Sequence, residues 1–416
     1  MPGLSASLDV IEVPPLTGDD VHLAVRAGAP AILAEHGLAL HRDAHLGELC
    51  RLADAFLGGA LAMPGRALDL LDLSGARTLR EGQDEIRRET WVDIVCERSG
   101  LPRDRVIGGG AQELLDLEAE VGRRVVGHEG VIQTLAQLIR RNRAGFASGR
   151  PIASALLLGP SGVGKTEIAK AFAAALFDRE DALVRLDMSE YAEPHAVARI
   201  VGAPPGYIGH EQGGALTDPL LRRPHCVVLL DEIEKAHRDV HQLLLQVFDE
   251  GRLTDGRGRT IDFRHTLIVM TSNLGSEHLT RKGREVRLDE AKALAGARSA
   301  FPVELWNRIE APLCLHPLNH TARLKICHRL ARASSERLFA ERGIRYHLGD
   351  DACALLIERC GDDAALGARP LRHLLARMVE PLIADAVLRG RVRAGAALEI
   401  VVEDGALAIG RSKLLR

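Results

Sequence analysis

The sequence predicts an α/β fold in which a parallel sheet carries helices on both faces, with a helical segment before it and a small, mostly helical domain after it. Three observations lead there. Residues 152–158, 183–186, 226–230 and 266–270 form short, almost wholly apolar runs, as strands do when neither face meets water. Segments of helical length separate these runs, and strands alternating with helices build a parallel sheet. The first run also leads through a glycine-rich turn into a helical run at 167–177.

Taken in order, 17–90 reads as helical hairpins. Leu46, Leu49, Ala53, Phe56 and Leu57 recur at helical spacing, Gly58 and Gly59 interrupt them, and Pro64 opens a second run through Leu68 and Leu71; packed helices account for this segment without a site. The glycine-rich stretch 107–110 marks a linker. After residue 320 the pattern turns helical again and closes on a strand candidate at 398–402. The expected organisation is a helical segment 1–106, a linker 107–124, an α/β domain 125–319 and a C-terminal domain 320–416.

At ~150 residues per domain, 416 residues make roughly three compact units. A composition 46% hydrophobic and 27% charged excludes general disorder. A net charge of −3 weighs against a protein that works by coating nucleic-acid phosphates or an anionic membrane. The longest apolar run, 171–177, has seven residues, against roughly 18 for a membrane span. The first twenty residues lack a basic segment followed by an apolar core, so the expected location is the cytoplasm, without a membrane partner. Seven cysteines without a close CxxC pair fit buried, reduced thiols there.

Gly159-Pro160-Ser161-Gly162-Val163-Gly164-Lys165-Thr166 lies between a strand candidate and a helical run, the setting a P-loop requires. Backbone N–H groups and the helix N-terminus form an anion cradle, Lys165 neutralises the β and γ phosphates, and the Thr166 hydroxyl ligates Mg²⁺. With only 7 lysines against 47 arginines, a chance match is roughly half a per cent. Downstream, Val227-Val228-Leu229-Leu230 ends in Asp231-Glu232, a Walker-B arrangement that assigns Asp231 to Mg²⁺ and Glu232 to the general base. Thr271-Ser272-Asn273 ends the next strand candidate, where an amide can orient the attacking water.

These motifs, with Asp187-Met188-Ser189-Glu190-Tyr191, Gly202-Ala203-Pro204-Pro205-Gly206-Tyr207-Ile208-Gly209, Ile233-Glu234-Lys235-Ala236-His237 and Gly251-Arg252-Leu253-Thr254-Asp255-Gly256, closely resemble the second ATPase module of Clp-type AAA+ unfoldases, the ClpA, ClpB and ClpC group. The resemblance runs almost without gaps from about residue 125 to the C-terminus. It implies a P-loop AAA+ large domain, a C-terminal helical lid domain, and a ring, usually a homo-hexamer, that binds ATP and Mg²⁺ at each interface. It places Asn273 at sensor 1, Arg308 at the arginine finger and Arg369, in Gly367-Ala368-Arg369-Pro370-Leu371, at sensor 2. Val125-Val126-Gly127-His128 resembles the adenine-side segment, with His128 where glutamine is usual and a changed ring contact expected. Tyr207, one of three tyrosines, resembles the pore-loop residue that grips polypeptide.

The sequence departs from that group in carrying a single P-loop. Residues 17–106 resemble only the helical small domain of a first module, with Pro64-Gly65-Arg66-Ala67-Leu68-Asp69-Leu70-Leu71-Asp72 the best-matching stretch. Between Asn273 and Arg308 there is no Ile-Gly-Leu or Ile-Gly-Phe loop, so a peptidase partner is unsupported. The expected function is an ATP-dependent chaperone that threads protein substrates through a pore. Competing readings are a truncated Clp paralogue regulating mixed rings with a full-length Clp protein, a ClpV-like disassembly ATPase, and a nucleic-acid AAA+ motor. Arg140, Arg141 and Arg143 form the one basic cluster noted for the last, and no aromatics interleave it.

Overall fold

The computed structural model describes residues 16, 18–58, 61–107, 110–146, 149–204, 206, 213–282, 285–360, 368–410 and 413–414. The chain forms two compact units: Met1–Glu113, Ala198–Cys226 and Gly251–His265 make one, and Leu114–Val197, Val227–Glu250 and Thr266–Arg416 the other.

In the first unit, helices Asp19–His36, Leu46–Phe56, Gly65–Arg80 and Arg88–Ser99 pack together. Of the positions read from the sequence at helical spacing, Leu49, Ala53, Leu57 and Leu71 are buried and Leu46, Phe56 and Leu68 half-buried, and Leu52, Leu70 and Trp91 join them in the core. Phe56 stacks on His225 with ring centroids 5.5 Å apart, so Ala198–Cys226 joins this helical block. Helix Thr217–Arg222 packs on an antiparallel pair, Arg252–Thr254 with Thr260–Asp262. Arg259 ties these parts together, reaching Asp218 at 2.9 Å and Asp255 at 2.6 Å. The compact units combine segments from both sides of the boundary at 124/125 read from the sequence pattern. The stretch read as a linker, 107–124, carries helices Gly110–Leu115 and Leu117–Arg124.

The second unit is built on a five-stranded parallel sheet: β1 (Ala153–Leu158), β2 (Leu183–Asp187), β3 (Cys226–Asp231), β4 (Thr266–Ser272) and β5 (Ala311–Cys314), in the order β5-β1-β4-β3-β2. Every residue of β1 and β4 is buried, so both faces are covered, as helical crossovers require. β5 has no counterpart in the sequence reading. It is four residues long, contains Pro312 and is half-exposed after Ala311. Proline cannot donate to a ladder and survives in sheets at an edge, where β5 lies.

Around the sheet lie α1 (Glu129–Arg141), α2 (Lys165–Phe177), α3 (Arg238–Glu250) and α4 (Glu290–Ala300), and α5 (His320–Arg342) leads into the small domain, whose core takes its Cys327 and Ala331. α1 packs on β1 and β5 through Ile132, Leu135, Ala136 and Ile139. α5 begins where the Asn319 side chain accepts the Ala322 N–H at 2.8 Å, satisfying one of the unpaired donors of the first turn. The small domain after it is helical with a sheet: β6 (Arg345–Leu348) runs parallel to β7 (Ala396–Glu403), which pairs antiparallel with β8 (Ala406–Ile409). Leu348, Leu356, Val379, Leu398 and Ile400 are at its core.

Candidate nucleotide-binding and hydrolysis site

Parallel strands deliver their C-terminal ends to one side of the sheet, and ligands of such sheets bind there. The ends of β1, β3 and β4 bring together Lys165, Asp231, Glu232 and Asn273. Gly159 follows β1 at a point where a Cβ would lie 2.6 Å from the Leu315 carbonyl oxygen, so only glycine lets the chain pass. Gly164 has φ 112° and precedes α2, a conformation open to glycine. Lys165 is the first residue of α2 and only 8% exposed. Its Nζ donates to the carbonyls of Gly159 at 2.5 Å and Pro160 at 3.1 Å, and to Asn273 Oδ1 at 2.9 Å. Burial pushes the ammonium down to about 8, with Glu234, Asp231 and Glu232 pulling the other way. A buried cation facing carboxylates and donating to neutral carbonyls is primed for an anionic ligand.

The acidic end of β3 is braced by β4. The Thr271 hydroxyl donates to Asp231 Oδ1 and accepts the Glu232 N–H at 3.1 Å, and Arg185 on β2 donates to Asp231 Oδ2 at 2.6 Å. Glu232 sits at φ 56°, leaving the strand direction so that its carboxylate turns toward Asn273, whose Nδ2 donates to Glu232 Oε1 at 3.3 Å. The Asn273 backbone N–H is held by Glu234 Oε1 at 3.0 Å. Asn273 thus spans Lys165 and Glu232. Thr166, the second residue of α2, and Asp231, the last residue of β3, carry hard oxygen donors of the kind Mg²⁺ takes.

Beside the loop is a cavity of about 560 Å³ lined by Gly127, His128, Leu294, Leu318, Asn319 and Ala322 among others, a volume in the range of small-ligand pockets. Val126 is half-buried just before it and is not part of the lining. The His128 ring reaches the Val163 carbonyl, Nε2 to O 3.0 Å. Arg369 is exposed and opens helix Arg369–Leu374; the preceding Ala368 N–H donates to the Gly162 carbonyl at 2.9 Å, which sets Arg369 one residue from a contact with the loop.

Arg308 is elsewhere. Ser154 Oγ donates to its carbonyl at 3.2 Å, and Ser154 lies five residues before Gly159, about 17 Å at ~3.3 Å per strand residue. The side chain cannot span that distance to its own loop. Its guanidinium pairs instead with Asp249 near the end of α3. Tyr207 lies outside the described residues; the adjacent Gly206 is in an exposed turn. Sequence reasoning gives no role to Arg185 or Glu234 and names Thr271 only within the segment that ends a strand candidate. Contacts between residues 40 or so positions apart carry no local pattern. The cavity wall at Leu294 and Leu318 was likewise unread, because apolar residues there look like any core.

Residues 150–311 match the family described as "AAA domain (Cdc48 subfamily)" and residues 318–400 that described as "C-terminal, D2-small domain, of ClpB protein". The chain is 42% identical over 354 residues to Chaperone protein ClpB 1 of Synechococcus elongatus, covering 83% of this chain and 40% of that protein. It is 45% identical over 323 residues to Chaperone protein ClpB of Rhizobium meliloti, covering 77% and 37%. It thus spans about two fifths of the length of these relatives. A cryo-EM reconstruction of Hsp104 with ATPγS and FITC-casein in its closed state superposes with a TM-score of 0.79 at 30% identity, covering 97% of this chain and 69% of that one.

Proposed function

The chain belongs to the Clp-type AAA+ ATPases, and from that premise we propose that it is an ATP-driven protein-remodelling chaperone working as a ring, a homo-hexamer, in the cytoplasm. The observation that carries the proposal is the Lys165–Asn273–Glu232 connection, because it joins the phosphate cradle to a carboxylate on the neighbouring strand end. Lys165 and the N–H groups of Gly162, Val163 and Gly164 hold the phosphates of ATP, and the cavity at Gly127 takes the base. Thr166 and Asp231 hold Mg²⁺, which spreads the charge of the transferring phosphoryl group. Glu232 accepts the proton of the attacking water, and Asn273, already within reach of Glu232, aligns that water. Arg369 closes the lid side.

Arg308 serves the adjacent subunit, since its own site is a strand length away. A head-to-tail ring places one subunit's finger in the next subunit's site. Tyr207 grips the substrate: an aromatic ring offers apolar contact to any extended polypeptide without reading its sequence. The substrates are therefore proteins.

The test is ATPase activity with and without an unfolded protein such as casein, and separately with duplex DNA. Stimulation by casein alone is expected. Stimulation by DNA alone overturns the proposal in favour of a nucleic-acid motor, and activity that appears only after mixing with a full-length Clp protein overturns the homo-hexamer in favour of the mixed ring.

A further inference from the structure

We propose that His128 is a positioning residue that aims phosphate-binding donors of the loop, rather than a contact to the nucleotide base. The inference rests on reading Gly159 to Thr166 as the nucleotide cradle. Two consecutive carbonyls in that loop are held by donors from outside it. The Gly162 carbonyl accepts the Ala368 N–H at 2.9 Å, and the Val163 carbonyl accepts from His128 Nε2 at 3.0 Å. In a trans peptide the C=O and the following N–H point in opposite directions. Fixing these two carbonyls outward therefore fixes the N–H groups of Val163 and Gly164 on the other side of the chain, where an anion held by successive backbone donors would sit.

The ring orientation follows from its partner. A carbonyl only accepts, so Nε2 carries the proton, and the donor is present in the neutral and the charged ring alike. Burial holds the imidazole below its ordinary value, with His316 acting the same way and Glu129 against. His128 is at φ 62° as the N-cap residue of α1; it lines the cavity together with Gly127, and its ring nitrogen Nε2 is spent on the Val163 carbonyl. His128 thereby links the base cavity to the loop. Ala368, just before Arg369, provides the matching tie from the small domain, so both carbonyls are held by donors from outside the loop.

The experiment is displacement of a fluorescent ADP analogue by ADP and by AMP, for the parent, His128→Ala and His128→Gln. Loss of one hydrogen bond to the loop is expected to weaken ADP about five- to tenfold in His128→Ala. AMP, which has no β phosphate for the loop to hold, should compete as it does against the parent. A glutamine amide can donate to the same carbonyl, so His128→Gln should recover ADP affinity to within about twofold of the parent. Equal weakening of ADP and AMP would show a base contact and overturn the inference, as would unchanged ADP affinity in His128→Ala or a glutamine variant as weak as the alanine one. Failure of the parent itself to bind the ADP analogue would instead overturn the reading of the loop.

Discussion

Nucleotide affinity should fall as the pH rises past 8, because the ligand-free site holds its lysine on the edge of deprotonation. Lys165 is buried, and desolvation lowers its pKa to about 8. Bound phosphates would return the cation to full charge through the range of interest. If only the protonated form binds, the dissociation constant scales as one plus ten raised to the difference between pH and pKa. Between pH 7 and pH 9 that factor grows from about 1.1 to about 11, a tenfold weakening. The nucleotide's own last ionisation, near pH ~6, lies below this window. Fluorescence titration with a labelled ADP at pH 7, 8 and 9 and constant ionic strength measures the effect. Lys165→Arg provides the control, since a guanidinium stays charged throughout and should give a flat profile. Stability runs the other way: the unfolded chain holds this proton to a higher pH than the folded one, so the cost of burying the cation is full below pH 8 and fades towards 10.5. An ADP affinity that is the same at pH 7 and pH 9, or an arginine variant with the parent's slope, would refute the reasoning.

Three further outcomes follow from the site. Glu232→Gln should retain ATP binding yet hydrolyse at least about a hundredfold more slowly, because the amide cannot take the water's proton; hydrolysis at the parental rate in a phosphate-release assay would remove Glu232 as the base. Arg308→Ala should fold and bind ATP with activity down about a thousandfold, partly restored on mixing with Lys165→Ala subunits that still offer Arg308; its pairing with Asp249 is more than a third exposed on both sides and worth at most about 1 kcal/mol, so release towards a neighbour costs little. Activity per subunit that does not change with protein concentration would contradict this arrangement. Tyr207→Ala should leave nucleotide affinity intact while abolishing stimulation by casein, and Tyr207→Phe should keep most of it, as read by ATPase rates with and without casein.

Much of the site was legible because phosphate chemistry demands particular residues at fixed spacing. Gly159, Gly164, Lys165 and Thr166 form one contiguous motif, and a strand of apolar residues ending in Asp231 and Glu232 is equally local. The four long strands of the sheet were legible for a similar reason: burial on both faces leaves an unbroken apolar run. β5 was not, because an edge strand containing Pro312 has neither length nor continuity. Nor could sequence show that Ala198–Cys226 and Gly251–His265 join the N-terminal helices in one compact unit, since that depends on long-range contacts such as Phe56 with His225. His128 was noticed only as a departure from a usual glutamine; that its ring holds a loop carbonyl depends on residues 35 positions apart in the chain.

The central claim is that ATP hydrolysis in a ring is spent on pulling polypeptide. Unfolding of a tagged fluorescent protein by the assembled chain tests it directly, with light scattering recording the ring in the same sample. The account predicts loss of substrate fluorescence when the parent is supplied with ATP, none with the Glu232→Gln variant, and none with Tyr207→Ala despite continued hydrolysis. Rings that hydrolyse ATP at full rate and leave the substrate folded would contradict it.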